Sequence, residues 1–185
     1  MLKIRLRGSK TTIRTIVKNP ISATGLVIIV VLVILSIISP FIAPYDPIDV
    51  VLESRLLPPS SEHWLGTDNF GRDILSRILI GSRLSLISGF VVIFTAVIIG
   101  IVAGSLAGYY GKWVDEIIMR ITDIFMAFPS FLLAMIVVSV LGKGVGNVLI
   151  AMVIVWWPIY TRLIRGQVLV LRETPMIESE RALGA

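Results

Sequence analysis

The chain has 185 residues, 56% of them hydrophobic and only 16% charged, with a net charge of +5 and no cysteine. Ordinary soluble domains are about 45–50% apolar and about 25% charged, so this chain lacks the polar surface to cover a water-soluble globule, and the bilayer is its natural solvent. Without cysteine it has no disulfide, thiolate metal site or cysteine nucleophile, and the single histidine, His63, leaves no histidine cluster for a metal.

The first 20 residues carry Lys3, Arg5, Arg7, Lys10, Arg14 and Lys18 with no acid. They read as a basic flank to a membrane span rather than a nucleic-acid arm. Residues 21–43 follow without a charge, rich in Val, Ile and Leu. Crossing a hydrocarbon core of about 30 Å takes about 20 apolar residues, so this run predicts a first transmembrane helix. It is longer than the apolar core of a signal peptide and is expected to be a retained anchor.

Residues 44–83 read as a long loop outside the membrane. Pro58-Pro59-Ser60-Ser61 marks an extended or turning stretch. The segment His63 to Asp73 is dense in turn formers, but its acids lack the spacing of a calcium loop. From Asp73, Ile74, Leu75, Ile78 and Leu79 fall on one helical face, predicting an amphipathic helix that lies along the outer surface and leads into the next span.

Residues 84–111 are uncharged and form the second predicted span. Ala96, Gly100, Gly104 and Gly108 recur every four residues, placing four small residues on one face. Helices in lipid gain nothing by hiding apolar surface and associate through close packing, so this ridge is expected to meet another helix. Lys112 and Arg120 belong to a short loop on this reading, and Asp123 opens the third span, stabilised by the positive end of the helix. Ile124–Gly142 and Gly144–Thr161 are the third and fourth predicted spans, with Pro129 and Pro158 as kinks inside them. Trp156, Trp157 and Tyr160, with Tyr109, Tyr110 and Trp113, are expected to form an interfacial aromatic belt.

With the N-terminus inside, twelve of the 17 lysines and arginines flank the spans on the cytoplasmic side. That bias places both termini in the cytoplasm. At the C-terminal end, Thr174-Pro175 is a good helix start, and Met176, Ile177, Ala182 and Leu183 then give a short amphipathic segment.

Three stretches together resemble the dipeptide, oligopeptide and nickel permease family of ABC importers. The first is His63-Trp-Leu-Gly-Thr-Asp-Asn-Phe-Gly-Arg-Asp-Ile-Leu-Ser-Arg-Ile-Leu-Ile-Gly-Ser-Arg-Leu-Ser-Leu86; the second is Arg120-Ile-Thr-Asp123 followed by Ala127-Phe128-Pro129. The third, Glu178-Ser-Glu-Arg-Ala-Leu-Gly184-Ala185, is similar to the opening of the family's Glu-Ala-Ala loop, with glycine six positions after the glutamate. Ser179 and Glu180 stand where the family usually has small apolar residues. The loop before the second span points to the second of the two permeases such systems carry.

The resemblance implies an all-α polytopic membrane protein of about four transmembrane helices, part of a type I importer permease bundle. Residues 84–185 would form an incomplete core domain ending in the coupling helix, to which Glu178, Ala182, Leu183 and Gly184 would belong. It further implies a noncatalytic subunit with no cofactor of its own, ATP being bound by two cytoplasmic ATPases. A homologous permease and an extracytoplasmic binding protein would complete the assembly in the lipid of the cell membrane, with no part for nucleic acid. Family members continue through about two more spans, so the chain is expected to be C-terminally truncated, either as a piece of a working permease or as a nonfunctional or regulatory membrane stub. The resemblance puts peptides first as cargo, being the family's commonest, with nickel and oligosaccharides behind, and no residue reads as lining the substrate pathway.

Overall fold

A computed structural model of the chain describes residues 19–174. All regular structure among them is helical. The chain divides into two compact units, residues 1–87 and 88–185.

In the first unit, helix α1 runs from Pro20 to Ile42. Asn19 caps it by accepting a hydrogen bond from the Ile21 N–H at 3.0 Å, and Pro20 occupies the first turn, where no N–H is needed. Pro40 lies in the last turn and cannot donate to the Ser36 carbonyl four residues back. The Ser39 hydroxyl donates to that carbonyl instead, at 2.9 Å, so the proline leaves the helix intact. At 23 residues α1 is about 35 Å long, enough to cross.

Helix α2 runs unbroken from Ile74 to Tyr110, 37 residues or about 55 Å. The expected surface-lying helix and the second span are therefore one element. No proline falls within residues 74–110, and the helix has no break at the expected junction near Arg83.

The second unit holds the later turns of α2 with three more helices: α3, Lys112–Ala127; α4, Ser130–Leu141; and α5, Val145–Arg172. Here the third predicted span is corrected. Pro129 does not kink a helix over residues 124–142 but ends one, with α3 and α4 meeting at 92°. The cause is local: Pro129 has no N–H to donate, and its ring forces Phe128 out of helical geometry to φ −88, ψ 139. Lys112 and Arg120 accordingly sit on a 16-residue amphipathic helix, not in a loop. The fourth span extends eleven residues past Thr161 to Arg172, and α5 absorbs Pro158 in its interior, where the ring is fully buried. Three helices are long and apolar enough to cross a membrane, or four if the bent α3–α4 pair counts as one span.

The packing is that of a protein built for lipid. The buried apolar residues are small (Ala96, Ala107 and Ala151 are all fully enclosed), and the largest enclosed side chains include Thr122, Thr161 and Pro158. Large apolar groups such as Phe90, Phe94 and Phe131 face outward, more than half exposed. In water this would be an inverted core. In hydrocarbon it is the expected economy, because close backbone approach is what holds helices together.

Candidate functional site

The segment before α2 is a compact hydrogen-bonded knot. Thr67 bonds across to Leu57 in both directions: its N–H donates to the Leu57 carbonyl at 3.1 Å, and its hydroxyl oxygen accepts from the Leu57 N–H at 2.8 Å. Asp68 accepts from the backbone N–H groups of Phe70 and Arg72 and from the side chains of Arg72 and Arg77. Gly66 and Gly71 both take φ +75, and a β-carbon on either would overlap a backbone carbonyl, of Leu57 and of Val51 respectively. Glycine at these positions is a steric requirement.

Asp73 closes the knot and starts the helix. Its side chain is almost wholly buried; Oδ2 accepts from the Ser76 N–H and hydroxyl, both at 2.8 Å, and Oδ1 lies 3.0 Å from His63 Nδ1. The Ser76 hydroxyl oxygen in turn accepts from the Tyr45 N–H at 3.1 Å, and the Tyr45 and His63 rings lie 4.8 Å apart. Burial alone would raise the Asp73 pKa, but the Ser76 and His63 hydrogen bonds outweigh it and hold the carboxyl below its ordinary range.

In the second unit the small-residue row of α2 lies against α5. A β-carbon on Gly100 would stand 2.5 Å from Tyr160 Cβ; one on Gly104, 2.5 Å from the Thr161 carbonyl oxygen and 2.9 Å from Ile164 Cβ; one on Gly108, 2.7 Å from Val168 Cβ. Ala96, the fourth member, is fully buried. The β-carbon of Tyr160 thus packs on Gly100, while the Trp157 ring meets Phe125 edge-on at 5.4 Å, so these two aromatic residues make helix contacts within the unit. Trp156, Tyr109, Tyr110 and Trp113 stay exposed.

Toward the C-terminal end of α5, three arginines reach across to other elements. Arg165 grips both carboxylate oxygens of Asp115 in the first turn of α3, one contact from NH2 at 2.6 Å. Arg172 NH1 donates to the Gly108 carbonyl of α2 at 2.7 Å, and Arg162 NH2 to Asp123 at 2.6 Å. Asp123 therefore does not open a helix. It lies near the end of α3, where the helix's own partial charge is negative, and an arginine of α5 balances it.

Arg162, Arg165 and Arg172 are among the twelve basic residues counted above on the cytoplasmic flanks, where a topology role alone accounts for them. Their spacing of three and then seven residues, which puts all three near one helical face, was the available signal. Asp115 carried no such mark. Glu178, Ala182, Leu183 and Gly184 lie outside the described residues.

Comparison with known proteins finds likenesses at both ends of the chain. Residues 96–185 match the family described as the inner membrane component of binding-protein-dependent transport systems. Residues 9–59 match the N-terminal transmembrane domain of oligopeptide transport permease C. The dipeptide transport system permease protein of Alkalihalophilus pseudofirmus is 46% identical over 90% of this chain and 55% of its own length. A probable D,D-dipeptide transport system permease of Escherichia coli is 44% identical over 90% of this chain and 56% of its own. The glutathione transport system permease of Pectobacterium atrosepticum is 42% identical over 93% and 58%. The chain thus spans a little over half the length of these relatives.

Proposed function

We infer that this chain, which belongs to the dipeptide and oligopeptide permease family of ABC importers and to its second-permease type, supplies part of a translocation pathway for short peptides. The multi-pass helical architecture and the family matches at both ends carry the inference. Peptides lead as cargo because the relatives' names specify a dipeptide, a D,D-dipeptide and glutathione. On this reading the subunit performs no chemistry and binds no cofactor. A homologous permease faces it, two cytoplasmic ATPases bind ATP, and an outer binding protein delivers the substrate.

Coupling would run through residues 178–184, with Glu178, Ala182, Leu183 and Gly184 in a short helix seated on an ATPase. ATP favours the state in which the ATPases close, and a ligand shifts such an equilibrium only through its differential affinity for the two states. The lysine and arginine bias puts both chain ends on the ATPase side.

The assembly purified through a tag on this subunit is expected to contain an ATPase whose hydrolysis rises when peptide-loaded binding protein is added. Isolation of the subunit with no ATPase, or hydrolysis indifferent to the loaded binding protein, would sink the reading and favour a membrane stub. Orientation has a separate test, because the chain is free of cysteine. A cysteine at Glu62 should react with an impermeant maleimide on intact cells, and one at Glu173 only after lysis. The reverse pattern would invert the topology.

A further inference from the structure

Arg165 and Arg172 stand seven residues apart on α5, two turns with a drift of about 20°, so both lie on nearly the same face. Each ties that face to a different element. The Arg165 guanidinium meets the Asp115 carboxylate at two points, with side chains only 29% and 19% exposed. A two-point guanidinium–carboxylate contact is planar, so it fixes rotation as well as separation. Arg172 donates to the carbonyl of Gly108, in the last turn of α2, where carbonyls have no partner within their own helix. Between these two grips lies the corner joining α2 to α3, with Gly111 and Lys112 both at positive φ, 62 and 50.

The glycine row already holds α2 to α5 from Gly100 to Gly108. The arginines add polar ties to the last part of that row: the Arg165 backbone lies against Gly104 and Gly108 while its side chain reaches α3, and Arg172 holds Gly108 from the end of α5, where the chain continues toward residues 178–184. We propose that Arg165 and Arg172 are positioning residues: they lock the last turns of α5, the end of α2 and the first turn of α3 into one rigid body, so that force arriving at the C-terminal segment moves all three helices together. The proposal deepens the permease reading and rests on it. Arg162 and Asp123, each about half exposed, form a weaker outer contact and are not part of the lock.

The test uses the native transporter assembly in lipid nanodiscs and in proteoliposomes, with its binding protein. Spin labels on cysteines at Tyr109 and Leu171, exposed positions beside the two ends, read the separation of α2 and α5. In the wild type that distance should hold within about 2 Å between the nucleotide-free and ATP-trapped states, the size of a simple helix adjustment. In R165Q and R172Q the distribution should broaden, and peptide uptake per ATP hydrolysed should fall about tenfold, the scale of a lost coupling term. R165K keeps the charge but loses the fork, and should recover only part of the loss.

A wild-type distance that changes by several ångströms on trapping overturns the lock, as do variants with unaltered uptake per ATP. Variants in which assembly, hydrolysis and uptake decline in proportion also overturn it, showing a brace for folding alone. The wild-type arm reads the permease assignment separately: hydrolysis indifferent to loaded binding protein overturns that assignment, whereas coupled hydrolysis with unaffected variants overturns only the lock.

Discussion

Gly104→Val should cost the second unit about 3 kcal/mol or more, lowering its melting temperature in detergent by roughly 12–24 °C. The atoms that a β-carbon would strike are the Thr161 carbonyl oxygen at 2.5 Å, Ile164 Cβ at 2.9 Å and the Arg165 nitrogen at 3.0 Å. All belong to the backbone or are fixed to it, so no rotamer change relieves the overlap and α5 must move away. Gly100→Ala should behave similarly, because Tyr160 Cβ at 2.5 Å and its carbonyl carbon at 2.9 Å are equally immovable. The same helix supplies the control. Gly89 has nothing within 4 Å of a built β-carbon, so Gly89→Ala should be neutral or stabilising by up to about 1 kcal/mol through helix propensity. Thermal unfolding of the three variants side by side decides the matter. Equal stability at all three positions would show that α2 and α5 are not in close contact.

Asp73→Ala should loosen the first unit by about 2–4 kcal/mol, combining a lost helix cap with stranded polar partners. The carboxylate receives two hydrogen bonds from Ser76 and pairs with His63; Ser76 is fully enclosed, and His63 is only partly open to water. Asp73→Asn keeps an acceptor for Ser76 but removes the charge, and should cost less. Hydrogen exchange at Leu57, Thr67 and Ser76 is the measurement: faster exchange at all three marks collapse of the knot, and unchanged exchange would refute its dependence on Asp73. The pH dependence has a definite sign. The folded carboxyl titrates below its unfolded value of about 3.9. Its stabilisation is therefore complete above that value and is lost as the pH falls through the lowered folded value. Acid should lower the protection factors of the knot in the wild type, measured against the intrinsic rate at each pH, and change those of Asp73→Asn much less.

Uninterrupted apolar runs were legible because insertion into lipid depends on composition over about 20 residues. Residues 21–43 predict α1 to within one residue at each end. The ridge at Ala96, Gly100, Gly104 and Gly108 was equally plain, though the spacing could not say that Tyr160, Thr161, Ile164 and Val168 would fill it. Pro129 was visible as a proline, but whether a proline bends or ends a membrane helix depends on whether its neighbours re-satisfy the freed backbone. Pro40, with Ser39 beside it, is kept within α1; Pro129 is not kept in a helix, and Phe128 turns extended. Misplacing that boundary also misassigned Asp123, whose electrostatic role reverses between the two ends of a helix. The α5 arginines lay beyond reach for another reason: their partners are 39, 50 and 64 residues away, and helical periodicity carries no information on that scale.

The elbow at Pro129 bears on how thick a barrier this subunit presents. The 12 residues of α4 measure about 18 Å against a hydrocarbon layer of about 30 Å, leaving about 12 Å uncrossed by that helix. Lipid beside α4 must thin, or the chain at one end must sit below the headgroups, covered by protein or wetted. The penalty for a charged or amide-bearing solute grows with the depth of oil it must enter. Where lipid thins beside α4, that flank is where such a solute would meet the least oil.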